Sequence, residues 1–213
     1  SGQMLIQNGI IKDIGPSLPN VPGAIVLDFH GHHIYPSFIE PLGTYAIPEQ
    51  KRNTAGNALI SDRTGSYSWN DALRCDADAA SQIKYNEETA AQLRDAGYAL
   101  IQTHIPDGIS RGSACILSLN QSNENEILIK SRSAHVMSFN KGSSAQEYPS
   151  SLMGSIALLR QTFLDGACYS KAIQGKEQNL TLEAWNKLLE LPQIFVGGST
   201  ANALRASRIA KEF

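Results

Sequence analysis

The sequence is poor in the features that mark several specialised classes of protein. It has three cysteines in 213 residues, Cys75, Cys115 and Cys168, and their odd number and wide spacing argue against a disulfide framework and a Cys-based zinc site. Lysine plus arginine (18) and aspartate plus glutamate (20) nearly balance, so neither nucleic acid nor an anionic membrane surface is an expected partner. Apolar runs such as Ala24–Leu27 are too short to span a bilayer. The first residues are not expected to form a signal peptide, and periplasmic and cytoplasmic locations both stay open.

The first elements that the sequence does contain are short strands. Met4–Gln7 and Ile10–Ile14 are apolar stretches separated by Asn8-Gly9. Because both turn residues tolerate a positive φ, this pattern predicts a β-hairpin. A loop rich in proline and glycine then leads to a third predicted strand at Ala24–Asp28, whose isoleucine and valine favour extended backbone.

From Asn86 onward, predicted strands alternate with amphipathic helices. Asn86 is typical of a helix N-cap, and Gly97 of the residue that ends the helix. The other predicted strands are Tyr98–Ile105, Ala114–Leu119, Ala134–Phe139 and Pro192–Val196, and the other helices are Pro149–Tyr169, a helix capped by Thr181 that runs to Leu189, and one capped by Ser199 that runs to Phe213. This alternation predicts an α/β architecture with a parallel sheet. The polar stretch Lys51–Asp78 is predicted to be a long loop.

Two stretches near the start resemble a known superfamily. Asp28–Glu40, DFHGHHIYPSFIE, resembles the beginning of the barrel in amidohydrolase-superfamily enzymes, where Asp, Gly-Lys/His and two apolar residues precede Pro-Gly-Phe/Leu-Ile-Asp. Leu5–Gly15 resembles the hairpin of that family's composite β domain. The resemblance implies a small β unit over residues 1–35 and, over residues 36–213, the first part of a TIM-type (β/α)₈ barrel.

Weaker motifs extend the resemblance over most of the chain. Glu88–Thr103, Pro106–Gly112, Tyr148–Gly154 and Leu204–Phe213 are similar to a bacterial, imidazolonepropionase-like branch of amidohydrolases. Some members of that branch are long and carry a degenerate barrel ahead of an intact one. The resemblance therefore implies a bacterial source.

The metal motif of the family is altered in this sequence. Family members end the first barrel strand with His-x-His, and two side chains separated by one residue on a strand point the same way, so both bind one zinc-like ion. Here the corresponding residues are Leu42, Gly43 and Thr44. Leu42 has no lone pair, and a neutral threonine hydroxyl is a poor ligand. We therefore expect neither catalytic residues nor a metal or cofactor in this chain, with zinc expected only if the parent protein is active.

The other histidines are weaker metal candidates. His30 and His32 form a literal His-x-His, but they precede the anchor Pro36 and enclose Gly31, which predicts a turn that separates the rings. The alternative is an adventitious surface metal. His104 follows a predicted strand at the edge where barrel enzymes place functional residues. A structural role for His104 is favoured, because the sequence shows no carboxylate or cysteine partner for it.

Two loops are typical of anion contacts as well as of plain turns. The first loop is predicted to follow the Tyr98–Ile105 strand, and it contains Asp107-Gly108 and Arg111-Gly112. The other is Gly197-Gly198-Ser199 ahead of the last helix, where free backbone N–H groups suit an anion. The sequence leaves both interpretations open.

Three functions follow as hypotheses, and the sequence leaves open whether the chain is an enzyme. The first is an amidohydrolase-like chain that lacks metal-dependent catalysis by itself and has a structural or partner-packing role. The second is a truncated piece of an active hydrolase of non-peptide C–N bonds, such as cyclic amides. The third is a small-molecule-binding module. Because half a barrel exposes strand edges, we also expect self-association, or packing on another barrel of the parent protein.

Overall fold

The computed structural model describes residues 2–49, 65–67, 70–121, 123–171 and 177–213. The predicted Lys51–Asp78 loop therefore lies largely outside the described residues. The chain divides into two compact units, Ser1–Pro36 and Ser37–Phe213. In the described parts of the chain, no helix is long and apolar enough to cross a membrane.

The first unit is a β-hairpin followed by irregular chain. Strands β1 (Gln3–Gln7) and β2 (Ile10–Gly15) pair antiparallel, and the turn residues Asn8 and Gly9 have φ of 53° and 73°. This confirms the predicted hairpin. The predicted strand at Ala24–Asp28 is wrong: that stretch forms no ladder with any described residue, and its valine and isoleucine are more than 80% exposed. β-Branched residues favour extended backbone, but a strand also needs a partner.

The second unit contains a five-stranded sheet curled into half a barrel. Its strands, in spatial order, are β3 (Phe38–Gly43), β4 (Tyr98–Thr103), β5 (Ser110–Ser118), β6 (Leu128–Ser138) and β7 (Gln193–Val196). The β3–β4 and β6–β7 pairs are parallel, whereas β5 runs antiparallel to both neighbours. The expected parallel sheet is therefore found in two strand pairs, and the expectation is wrong for β5. Residues 104–109, which join β4 to β5, are too few for a crossover helix, so the chain must return antiparallel.

Helices cover one face of this sheet. They are α1 (Glu87–Asp95), α2 (Glu124–Ile127), α3 (Leu152–Lys171), α4 (Leu180–Leu188) and α5 (Thr200–Glu212), with a 3₁₀ turn at Ala79–Gln82. The predicted caps Asn86 and Ser199 are confirmed by their hydrogen bonds to Thr89 N and Asn202 N. Thr181 is not the N-cap of α4. Asn179 takes that position by accepting from Leu182 N, and Thr181 is buried inside the helix.

Alternation along the strands separates two apolar faces. On the helix-covered face, Trp185, Leu159 and Ile109 belong to one buried cluster, and Ile101, Cys115 and Leu117 to another. The opposite face carries a smaller cluster, Ala114, Ala134 and Val136, with Leu42, Ile194 and Val196 packed against it. Because successive strand residues point to opposite faces, Ala114 and Cys115 serve different clusters.

His135 is a buried polar residue on the helix-covered face of β6. Its Nδ1 lies 2.8 Å from Gln193 Oε1 and its Nε2 lies 3.0 Å from Ser110 Oγ. Its ring meets Trp185 edge to face at a centroid distance of 5.2 Å. An amide oxygen can only accept, so Nδ1 carries the proton and the serine hydroxyl donates to Nε2. Burial lowers the pKa of His135 to about 4, which keeps the ring neutral.

We predict that acid destabilises the protein partly through His135. The unfolded histidine has a pKa of about 6.5, so between that pH and about 4 the unfolded chain binds more protons, and the free energy of unfolding falls as the pH is lowered. The contribution is roughly 3 kcal/mol across this window. Urea unfolding of the parent and His135→Gln between pH 7 and pH 4.5 checks this, because the variant should show a shallower loss. Equal pH slopes would contradict the assignment.

Candidate functional site

The end of β3, where the resemblance implies metal ligands, is occupied by an apolar contact. Leu42 packs against the cluster formed by Ala114, Ala134 and Val136, while its backbone N–H donates to Glu40 Oε1 at 3.1 Å. Thr44 is exposed. Leu42 therefore packs against the apolar residues of the neighbouring strands, in a position where the family has a metal ligand.

His30 and His32 lie in the first unit, and both are exposed. Gly31 between them has φ of 80°, which makes a turn. His32 Nδ1 lies 3.2 Å from the His30 carbonyl oxygen, and His30 N–H donates to Asp28 Oδ1 at 2.8 Å. Across the described ranges, no three His, Cys, Asp or Glu side chains are grouped so that they could hold a metal ion.

His104 is buried, and both of its ring nitrogens are engaged. Nδ1 lies 2.9 Å from the Gly43 carbonyl oxygen, and Nε2 lies 3.0 Å from Arg111 Nη1. Since a guanidinium can only donate, Nε2 accepts and Nδ1–H donates, which fixes a neutral tautomer. Burial lowers the pKa of His104, and the charge of Arg111 acts in the same direction. Neither nitrogen keeps a free lone pair for a metal.

Arg111 is a cation that is only 8% exposed. Its Nε donates to the Gly108 carbonyl oxygen at 3.3 Å and its Nη1 to His104. Asp107 is engaged elsewhere, because it forms an ion pair with Arg74 at 3.0 Å and accepts from the Ser143 hydroxyl at 2.8 Å. Burial lowers the pKa of Arg111, and the charge of Asp107 acts in the opposite direction. A guanidinium stays charged at any physiological pH.

A β-bulge in β5 sets the direction of the Arg111 side chain. The register of β5 against β6 shifts between Ser110 and Ser113, and Gly112 within the shift has φ of 71°. The sequence placed Arg111 and Gly112 in a loop, but both belong to β5. A bulge bends a strand and redirects the neighbouring side chain, and a glycine supplies its left-handed residue without steric cost.

Arg111 lines a cavity of about 580 Å³ at the carboxyl ends of β6 and β7. The other cation in its lining is Lys141, whose Nζ donates to the Gln146 carbonyl oxygen at 2.6 Å. No acidic residue is among the described residues that line it. The rest of the lining comes from the ends of the two strands and from the first residues of α3 and α5: Ser138, Phe139, Asn140, Pro149, Ser150, Ser151, Leu152, Ser155, Val196, Gly197, Gly198 and Asn202.

The two anion-contact alternatives raised by the sequence therefore meet in one place. Arg111 and Gly197-Gly198 both line this cavity, although they lie far apart in the sequence. Lys141 was not singled out by sequence reasoning, and neither was Ser155, which is buried at 4% exposure. The available signal was Ser150-Ser151 directly ahead of an amphipathic helix, which is typical of an N-cap.

A second cavity, of about 470 Å³, lies beside the end of β3. It is lined by residues 44–48, by Ile101 of β4, and by α1 and its N-cap Asn86, and Lys84 is its only cation among the described residues. Thr44 lines this cavity, whereas Leu42 does not.

Comparison with known proteins gives a structural likeness. No protein-family model matches the chain, and no curated protein matches it in sequence. Among solved structures, the chain is similar to an amidohydrolase from Thermotoga maritima MSB8, with 18% identity and a TM-score of 0.71 over 98% of this chain and 57% of that chain. The chain thus spans little more than half the length of that protein. At this identity the likeness shows an amidohydrolase-like fold.

We predict that Gly112→Ala destabilises the protein by about 3 kcal/mol, because it adds left-handed strain to overpacking. A Cβ at Gly112 would overlap the Ala77 carbonyl group. The matched control is Gly198→Ala, which has φ of 69° and open space around it. Strain alone should cost this control about 1 kcal/mol. Urea unfolding of both variants measures the difference, and equal losses would show that the Ala77 contact is unimportant.

Proposed function

We propose that this chain is an amidohydrolase-like half-barrel that does not carry out metal-dependent hydrolysis by itself and has a structural or partner-packing role. The observation that carries the proposal is the packing of Leu42 on the apolar cluster formed with Ala114, Ala134 and Val136. In the resembling family this strand end supplies two imidazoles to the metal. Here one of those positions is part of an apolar face, and the other is the hydroxyl of Thr44.

The resemblance in sequence motifs supports a finer assignment, which also belongs to the proposal. We place the chain in the imidazolonepropionase-like branch and interpret its curled sheet as part of a bacterial TIM-type barrel. Support comes from the Asp28–Glu40 motif, from the amidohydrolase-like fold and from a parallel strand pair at each side of the sheet.

The partner-packing role is supported by the two edge strands of the sheet, β3 and β7. Within the described residues, β3 pairs only with β4 and β7 only with β6, so both outer strands present unpaired backbone groups. Phe38 and Ile39 on β3 are 64% and 59% exposed. Edges of this kind pair readily with another chain or segment. We propose that a second barrel segment, from the parent protein or from another copy of this chain, covers them.

Two alternative functions require different features of the protein. In the first, this chain is one piece of an active hydrolase of non-peptide C–N bonds, and the metal ligands come from elsewhere in the parent protein. In the second, it is a small-molecule-binding module, which the 580 Å³ cavity beside Arg111 favours. The first alternative requires further ligands outside this sequence, and the second requires a ligand that binds to this chain alone.

We predict that the purified chain retains no stoichiometric metal after dialysis against metal-free buffer. The reason is that the end of β3 offers Leu42 and Thr44 in place of two imidazoles. Elemental analysis by mass spectrometry measures the metal directly. The matched variant Leu42→His/Thr44→His puts imidazoles back at both positions of the motif and tests whether ligand type alone limits binding. One tightly held zinc per unmodified chain would overturn the proposal.

We predict that the chain self-associates through its open strand edges. Multi-angle light scattering should give a mass above that of the 23.1 kDa chain, rising with concentration. Ile39→Lys places a charge on the outer strand β3, and edge charges block strand pairing, so this variant should shift the distribution towards monomer. A clean monomer at all concentrations would count against self-association.

A further inference from the structure

We propose that the cavity beside Arg111 binds the oxyanion group, carboxylate or phosphate, of a small organic molecule. This inference goes beyond the proposed function, because it involves neither a metal nor the open strand edges. It would hold in a chain that has no catalytic activity.

The first support is the state of Arg111. It is more than nine-tenths buried, and among the described residues no carboxylate lies within ion-pair distance of its guanidinium. Its two hydrogen bonds use Nε and Nη1, so Nη2 has no acceptor in the described part of the chain. A buried charge is costly unless it is paired. The Asp107 carboxylate compensates the guanidinium only from a distance, and an anionic ligand in the cavity would supply a direct pair.

The second support is the rigidity with which Arg111 is held. His104 accepts from Nη1 only as a neutral imidazole, and its own Nδ1–H is fixed by the Gly43 carbonyl oxygen at 2.9 Å. His104 is thus a positioning residue that orients the arginine without cancelling its charge. Because the guanidinium is preorganised, little conformational entropy is lost when a ligand binds.

The third support is the charge balance around the cavity. The Asp107 carboxylate acts on Arg111 electrostatically, but its direct ion pair is with Arg74 at 3.0 Å, and it accepts a hydrogen bond from the Ser143 hydroxyl at 2.8 Å. Lys141 adds a second positive charge, and its ammonium group donates to the backbone carbonyl oxygen of Gln146. The described lining therefore carries two cations and no acidic residue, which favours an anion.

The walls favour an organic ligand over a bare ion. The cavity of about 580 Å³ is within the range of metabolite pockets. Phe139, Leu152 and Val196 supply apolar surface. The beginnings of α3 and α5 lie in the same wall, and their backbone N–H groups add to the positive potential. The oxyanion would face Arg111, and the carbon skeleton would contact the apolar side.

The test uses calorimetric titration of the full chain with phenyl phosphate and, separately, with phenylacetate. We expect saturable one-to-one binding of at least one probe, and the tighter probe identifies the anion. Arg111→Gln should weaken binding by about tenfold to a hundredfold, since it removes hydrogen bonds to a charged group. The control Arg208→Gln changes an exposed arginine on α5 and should leave affinity unchanged.

Lys141→Gln keeps the test decisive if Arg111→Gln does not fold. It should weaken binding severalfold without loss of the fold, which circular dichroism verifies. The proposal is overturned if neither probe binds, if Arg208→Gln weakens binding as much as Arg111→Gln, or if binding survives unchanged in the folded cavity variants. These results are independent of metal content and of the oligomeric state, so they separate this inference from the proposed function.

Discussion

A hydrogen-bonded chain of three residues links the end of β3 to the beginning of β5. The Gly43 carbonyl oxygen accepts from His104, and His104 accepts from Arg111. Each link depends on the others, because only a neutral His104 with its proton on Nδ1 can accept from an arginine. These hydrogen bonds hold together the end of β3, the loop that contains His104, and the buried Arg111. Gly112 makes this arrangement possible, since the bulge in β5 redirects Arg111.

The sequence predicted best what depends on neighbouring residues. The Asn8-Gly9 hairpin and the Ser199 cap are set by local backbone preferences, and both are confirmed. The direction of β5 depends on distant partners, and so does the absence of a ladder between Ala24–Asp28 and any other described residue. A propensity pattern does not encode such partners. The N-cap of α4 lies two residues before the predicted one, because Asn179 and Thr181 are both residue types that suit an N-cap.

The candidate site shows the same division. Arg111 and Gly197-Gly198 stood out separately, because arginine and glycine-rich turns suit anions. Their meeting in one cavity depends on the placement of β5 beside β6 and of β6 beside β7, which the sequence did not specify. Lys141 and Ser155 had no local signal beyond ordinary surface and helix chemistry. Of the candidate metal ligands, His104 uses both of its ring nitrogens in hydrogen bonds within the fold. Gly43, one of the two partners, is also distant in sequence.

The described residues form an amidohydrolase-like half-barrel in which Leu42, near the end of β3, is partly buried against an apolar cluster, while a cavity lined by two cations lies at the ends of β6 and β7. The proposed function depends most on the expectation that the end of β3 does not bind a metal. Anomalous X-ray scattering at the zinc edge, from crystals grown in excess zinc, tests it most directly. We expect no anomalous peak beside Leu42 and Thr44, and a strong peak there would contradict the proposal.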